Sequence, residues 1–511
     1  TAVGYNSLTA NTTGDLNVAI GGNALQSNVA GDRAVAIGYQ ALNAQNPSGN
    51  VDTYNVAIGL NSMAQTTTGI DNVAVGGLSL TSNTTASNNT AVGKSALAAN
   101  TTGAGNVALG AGSLDANTTA DNSTAVGYNS LSANTTGINN TGMGAFAMIT
   151  NSTGQSNVAV GYASLAGNTT GDSNVAVGYN ALDANTTADN NTAVGYASLG
   201  ANTTGGQNVA VGTNTLSNNT TGDYNNAFGF QAVLNNTTGT ENIGVGHNAL
   251  LVNTTGANNV AVGGFALDAN TTASNNTAVG YASLGANTTG TANVAVGTNA
   301  LKANTIGAEN VAVGQGSLEA NTTASGNTAV GQDALTANTT GDFNVAVGRD
   351  ALSANVLGDR AVAVGYNALQ SQAPTSNVDT YNVAIGLNSQ FATTTGVKNV
   401  SVGGLSLDIN TTGSNNVAVG QSALSSNTTA SNNTAVGYEA LKANTTGTNN
   451  VAVGATALDA NTTASDCTAV GTNALSTNTV GQSNTAVGTS ALQANLNGTR
   501  NTAVGRTALQ T

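Results

Sequence analysis

The chain has no tryptophan, one cysteine (Cys467), one histidine (His247), two prolines (Pro47 and Pro374) and only nine lysines and arginines in 511 residues. Each shortage excludes something. A single cysteine allows no intrachain disulfide, so packing and backbone pairing must hold the fold, and Cys467 is expected to be buried and inert. His247 lies many repeats from Cys467, which makes a zinc site or a nucleophile triad implausible. Nine scattered basic residues against 23 acidic ones leave a net charge of −14. That balance lacks the basic clusters phosphate recognition needs, so no nucleic-acid partner is expected. No apolar run approaches spanning length, and no membrane insertion is expected within this segment.

Acidic residues are present, but Asp115, Asp183, Asp268 and Glu319, and separately Asp15, Asp32 and Asp172, fall in slots whose residue varies from copy to copy and form no repeated acid pair. The aspartate-bearing glycine-rich nonapeptide of calcium-binding rolls is missing, as is a phosphate loop. The expectation is therefore a protein that is not an enzyme, with no catalytic residue, no metal and no cofactor.

What the chain has is repetition. An Ala-Val-Gly step recurs with its glycine at Gly4, Gly21, Gly38 and Gly59, then at every seventeenth residue from Gly76 to Gly365, and again from Gly386 to Gly505. That makes 30 copies of a 17-residue unit. Glycine recurring at that interval rather than every third residue rules out collagen. Apolar residues make up 40% of the chain at fixed places and charged ones only 6%, which is not the composition of disorder. Short-period self-similarity is the mark of a solenoid, and the length prior for several domains yields to it. The reading is one continuous all-β solenoid domain over 1–511, a parallel β-roll of about 30 coils. Because Thr1 and Thr511 both fall within a repeat, caps or further domains are expected outside this segment.

A typical copy is Asn174-Val-Ala-Val-Gly-Tyr-Asn-Ala-Leu-Asp-Ala-Asn-Thr-Thr-Ala-Asp-Asn190. Val175 and Val177 suit a strand, Gly178 (with Gly161 and Gly195 before and after it) suits a tight turn, and Asn-Thr-Thr suits a wider one. Helix is excluded by the density of Gly, Asn and Thr. The residue between the valines is Ala in nearly every copy, Gly at Gly142 and Gly244, and Ser at Ser401. With Val175, Val177 and Leu182 assigned to a single core, the alanine face is left over. It is expected to pack against other chains, most simply in a homotrimer. Stacking at about 4.8 Å would give a rod of roughly 140 Å.

Two longer loops, 45–54 and 372–381, interrupt the period, and their matching flanks show a larger duplication above the small repeat. Asparagine recurs at the wide turn (Asn168, Asn185, Asn202) and before the strand (Asn174, Asn191, Asn208), where stacked amides can form ladders that satisfy turn backbone groups. Asn-Thr-Thr is also a glycosylation sequon. Copies such as Asn304-Thr-Ile keep the Asn and lose the sequon, which favours the ladder. Tyr162, Tyr179 and Tyr196 follow the invariant glycine in successive copies, at a place that elsewhere holds Lys94, Arg349 or His247. They should form an exposed stripe, either stacked on itself or available to a glycan.

The recurring cores Asn55-Val-Ala-Ile-Gly59, Asn157-Val-Ala-Val-Gly161 and Asn191-Thr-Ala-Val-Gly195 resemble the head repeats of trimeric autotransporter adhesins, and similar repeats occur in phage tail fibres. The resemblance covers nearly the whole chain, although the unit here is longer through its Asn-Thr-Thr turn. It implies a left-handed β-roll of three chains about a common axis, extracellular, on a bacterial surface or a virion, binding host matrix, glycans or receptors. The expected function is thus a non-enzymatic fibrous shaft or head displaying a repetitive surface for multivalent attachment. The alternatives are a self-assembling structural filament and, through the threonine column Thr169, Thr186 and Thr203, an ice-binding solenoid.

Overall fold

The structure, a computed structural model, describes residues 1–510. It is a parallel β-solenoid without helix among the described residues, in about 30 turns. Contacts group into two compact units, Thr1–Thr255 and Gly256–Thr511. Both are built the same way. In the first, Val175–Val177 pairs in parallel with the strand one coil later, Val175 opposite Thr192, Ala176 opposite Ala193 and Val177 opposite Val194. In the second, Val417, Ala418 and Val419 lie opposite Thr434, Ala435 and Val436. Within each unit strand residues thus meet their own equivalents, and a column in the sequence becomes a column in space.

One expectation is overturned. The small central residue of each strand, not its valines, points into the coil: Ala176, Ala193 and Ala210 are fully buried beside Leu165, Leu182 and Leu199, while the flanking valines are half-buried to exposed. The physical reason is volume. A three-residue strand sends only one side chain inward, and the interior already holds one leucine and two asparagines per coil. Coils that change one partner show the fit. Where the leucine is replaced by Val233, the residue 11 positions on is Gly244, and a Cβ there would collide with a Val233 methyl. Where it is replaced by Gln390, the same offset holds Ser401, which hydrogen-bonds Ser406 at 2.6 Å. With these alanines enclosed inside the coil, no alanine face is left for another chain to cover. The apolar face left outside is the valine one.

The segment from Tyr179 to Ala184 is a chain of turns rather than a second strand. Asn180 and Leu182 both adopt the left-handed conformation, with φ of 51° and 54°. Such geometry costs an L-residue about 1–2 kcal/mol. It is offset because it aims each amide at a neighbouring coil: Asn180 N–H donates to Tyr162 O at 3.1 Å, Leu182 N–H to Ser198 O at 2.9 Å and Ala184 N–H to Gly200 O at 3.1 Å. Burying each leucine contributes about 1.5–3 kcal/mol, and only once its neighbours are stacked.

The long loops form twin two-stranded ladders, Gly31–Asp32 with Val51–Asp52 and Gly358–Asp359 with Val378–Asp379. Each repeats one arrangement on the surface. Arg33 pairs with Asp52, whose carboxylate also accepts from the Tyr54 hydroxyl; Arg360, Asp379 and Tyr381 do the same.

Candidate functional surfaces

Two asparagine ladders run inside the turns. In the first, Asn185 Nδ2 donates to Asn168 Oδ1 at 3.0 Å, and Asn202 Nδ2 to Asn185 Oδ1 at 3.1 Å. In the second, the backbone N–H of Asn191 donates to Asn174 Oδ1, and that of Asn208 to Asn191 Oδ1, both at 2.9 Å. The ladders meet at one acceptor per coil. Ala188 O takes Asn174 Nδ2 at 2.8 Å and Asn185 Nδ2 at 3.1 Å, which uses both lone pairs of a buried carbonyl. All six asparagines are fully buried. Asn185 spends both amide hydrogens internally, on Asn168 and Ala188. The folded Asn-Thr-Thr turn is therefore a structural device, closed to glycan attachment at Asn185.

The threonine after each ladder asparagine is also engaged. Thr169 Oγ1 donates to Thr186 O at 2.9 Å and Thr186 Oγ1 to Thr203 O at 3.1 Å, so the column named for ice binding is half-buried and its hydroxyl protons are in use.

Cys467 takes the place of a second-ladder asparagine. Its N–H donates to Asn450 Oδ1 at 3.0 Å and its thiol to Gly481 O at 3.2 Å, which reproduces two ladder bonds. Its sulfur is a weak acceptor where Asn would present an oxygen to the next coil. Burial pushes the thiol pKa up, and the residue is fully enclosed. Cys467→Asn is expected to raise stability by about 1 kcal/mol, the worth of one buried hydrogen bond. Denaturant unfolding of the two proteins reads it, and an unchanged or lower midpoint would contradict the ladder.

The outer surface carries the other predicted residues. Tyr162, Tyr179 and Tyr196 are about half exposed. Their rings stack face to face, with centroids 5.2 and 5.5 Å apart and interplanar angles of 12° and 10°. Phe146 and Tyr128 extend the run edge to face. Both faces of Tyr179 are covered by its neighbours, so it meets solvent through its edge and hydroxyl. Gly161, Gly178 and Gly195 sit at the turn beneath, all with φ between +133° and +141°.

Asp115, Asp183, Asp268, Asp408 and Asp459 share one place in their coils, directly after the buried leucine. In each case the residue one coil on is Gly or Ser: Ser132, Gly200, Gly285, Ser425 and Ser476. The small neighbour leaves room for the carboxylate, and partial burial holds all five above the usual carboxylate range. A folded pKa above the unfolded one means that the folded chain binds the proton more tightly. The associated stability is fully present below the unfolded value, about 4, and is lost as pH rises through the folded values. Acidification from pH 7 toward pH 4 should therefore raise the unfolding temperature; a steady fall over that range would contradict the burial of these carboxylates.

Asp268 and Glu319 recur in one column of the sequence, three coils apart, while Tyr281 belongs to the tyrosine column, and sequence reasoning did not link the two columns. The structure gathers all three, with Phe265 and Lys302, around an open trough of about 670 Å³ floored by Ala286, Ala303 and Ala320. The signal was the 17-residue offset from Lys302 to Glu319 and the 13-residue offset from Asp268 to Tyr281, both of which bring side chains together on neighbouring coils.

A comparison with protein-family models finds no match, and no curated protein matches the chain significantly.

Proposed function

We propose that the chain is the shaft of a multichain extracellular fibre, on a bacterial surface or a virion, that holds a repetitive surface out for attachment to host glycans or proteins. The observation that carries this reading is the valine face. Val313, Val330 and Val347 are 36–37% exposed, Ile20 and Ile385 are 39–40% exposed, and the same column holds Leu109, Met143 and Phe228. An apolar sheet face that recurs coil after coil is a protein-interaction surface by physical expectation, since soluble monomers rarely expose contiguous patches of that kind. Three copies packing these faces about one axis would bury them and leave the tyrosine and aspartate surfaces outward. The repeat's resemblance to adhesin heads points the same way. Many identical weak contacts along one shaft then supply avidity.

The test is cross-linking. In a Cys467→Asn background, Val177→Cys should form an interchain disulfide on mild oxidation, whereas Asp183→Cys, on the outward surface, should not. Interchain bonding at Asp183→Cys alone would place the contact on another face and overturn the proposal. Filaments of indefinite length seen by negative-stain imaging would instead favour the self-assembling polymer.

A further inference from the structure

The trough at residues 265–320 brings four features together on one stretch of the outer surface. It has a volume of about 670 Å³, within the range of small-ligand sites. One wall is aromatic: Phe265 and Tyr281 meet edge to face, centroids 5.8 Å apart at 79°, and Tyr281 is 57% exposed. Among the described residues no further ring reaches Tyr281, and the following coil carries Thr298 at that place, so this tyrosine is not sandwiched as Tyr179 is. The opposite wall is charged: Asp268, then Gly285, then Lys302 and Glu319 with their heads 3.9 Å apart. Gly285 opens the site. A Cβ there would already lie 3.4 Å from Asp268 Oδ1, and any longer side chain would cover the carboxylate.

The floor narrows the class of ligand. Its amides are spent on the next coil: Ala269 N–H on Gly285 O at 3.1 Å, Ala286 N–H on Lys302 O, Ala303 N–H on Glu319 O and Ala320 N–H on Thr336 O, all three at 3.0 Å. A peptide adding itself as a strand would find no backbone donors here. Recognition must come from an aromatic face, two carboxylates and one ammonium above a floor of methyl groups. That set suits a hydroxyl-rich ligand with an apolar ring face. A pyranose packs its C–H face on Tyr281, donates hydroxyls to Asp268 and Glu319, and accepts from Lys302. Two carboxylates against one ammonium, on a chain of net charge −14, disfavour acidic sugars.

We propose that this trough binds a stretch of neutral, linear hexose polymer lying along the stack of coils. The assignment rests on the attachment reading above and names the ligand class of one site on it.

Titration calorimetry of the full chain with cellohexaose and with hexa-N-acetylchitohexaose tests it, with hexagalacturonate as the acidic control. At least one neutral hexamer should bind and the acidic one should not. Ala303→Ile should weaken binding at least tenfold by filling the floor, and the fold already carries Val252 and Ile409 at that place in other coils. Tyr281→Thr, which copies Thr213 and Thr298, should do the same. Circular dichroism and the interchain cross-link at Val177→Cys should be unchanged in both variants. No heat with either neutral hexamer, equal binding of hexagalacturonate, or full affinity in Ala303→Ile would overturn the trough assignment. Such a failure with the cross-link intact would leave the shaft reading standing.

Discussion

Gly178→Ala is expected to unfold its coil and to cost roughly 3–5 kcal/mol, the range of severe single substitutions. Two effects add. The residue sits at φ +141°, a conformation that L side chains rarely adopt. A Cβ there would also lie 2.7 Å from the carbonyl carbon of Gly195, and closer still to its oxygen. The obstacle is backbone of the next coil, itself fixed by Gly195 N–H donating to Val177 O at 2.8 Å, so no side chain can swing away. Because each coil contacts only its neighbours, damage should spread to the adjacent coils and divide one cooperative unit into two. Amide hydrogen exchange reads it: amides of the coils around 178 and 195 should lose protection while those near Gly59 keep theirs. Uniform protection throughout would contradict the close stacking of the glycine column.

Ala176→Leu should have a comparable effect for a different reason. The residue is fully buried beside leucine side chains, in an interior that admits nothing larger than serine at this place in any coil. Even modest overpacking of a filled core costs about 1–3 kcal/mol, and this coil has no spare volume into which the side chain could move. The neighbouring Val177→Leu supplies the control. Its place already holds Leu109, Met143 and Phe228 in other coils, so Val177→Leu should cost far less than Ala176→Leu, whether that face meets water or another chain. Guanidinium unfolding of both variants compares them directly. Equal tolerance at the two positions would mean that the inside and outside of the strand have been confused.

That comparison shows what the sequence made legible. The period, the parallel pairing of equivalent residues, the turn at Gly178 and the ladders at Asn168 and Asn174 could all be read from recurrence, since a solenoid converts columns of letters into columns of atoms. The orientation of the strand could not be read from hydrophobicity alone. Val175 looks like core and Ala176 like an accessory, yet the size limit ran the other way: Ala176 never exceeds serine, whereas the place of Val177 drifts up to phenylalanine. Restricted volume marks an interior more surely than apolarity does. The left-handed turn at Leu182 left no trace either, because leucine has no local preference for that geometry and adopts it only when stacked coils supply its hydrogen bonds. Asp268 and Glu319 were visible in one column, three coils apart, but not their meeting with Tyr281. Their convergence depended on Gly285, whose significance lies in the side chain it omits.

Whether other copies of the chain cover the exposed valine face separates a multichain fibre from a lone solenoid. Sedimentation equilibrium of the full chain, over a range of concentrations at physiological salt, measures this directly. Packing through that face about a common axis predicts a species of three times the 49.5 kDa chain mass with no dissociation on dilution. A single-chain mass across the same range would contradict it and leave a lone solenoid with its valine face in water.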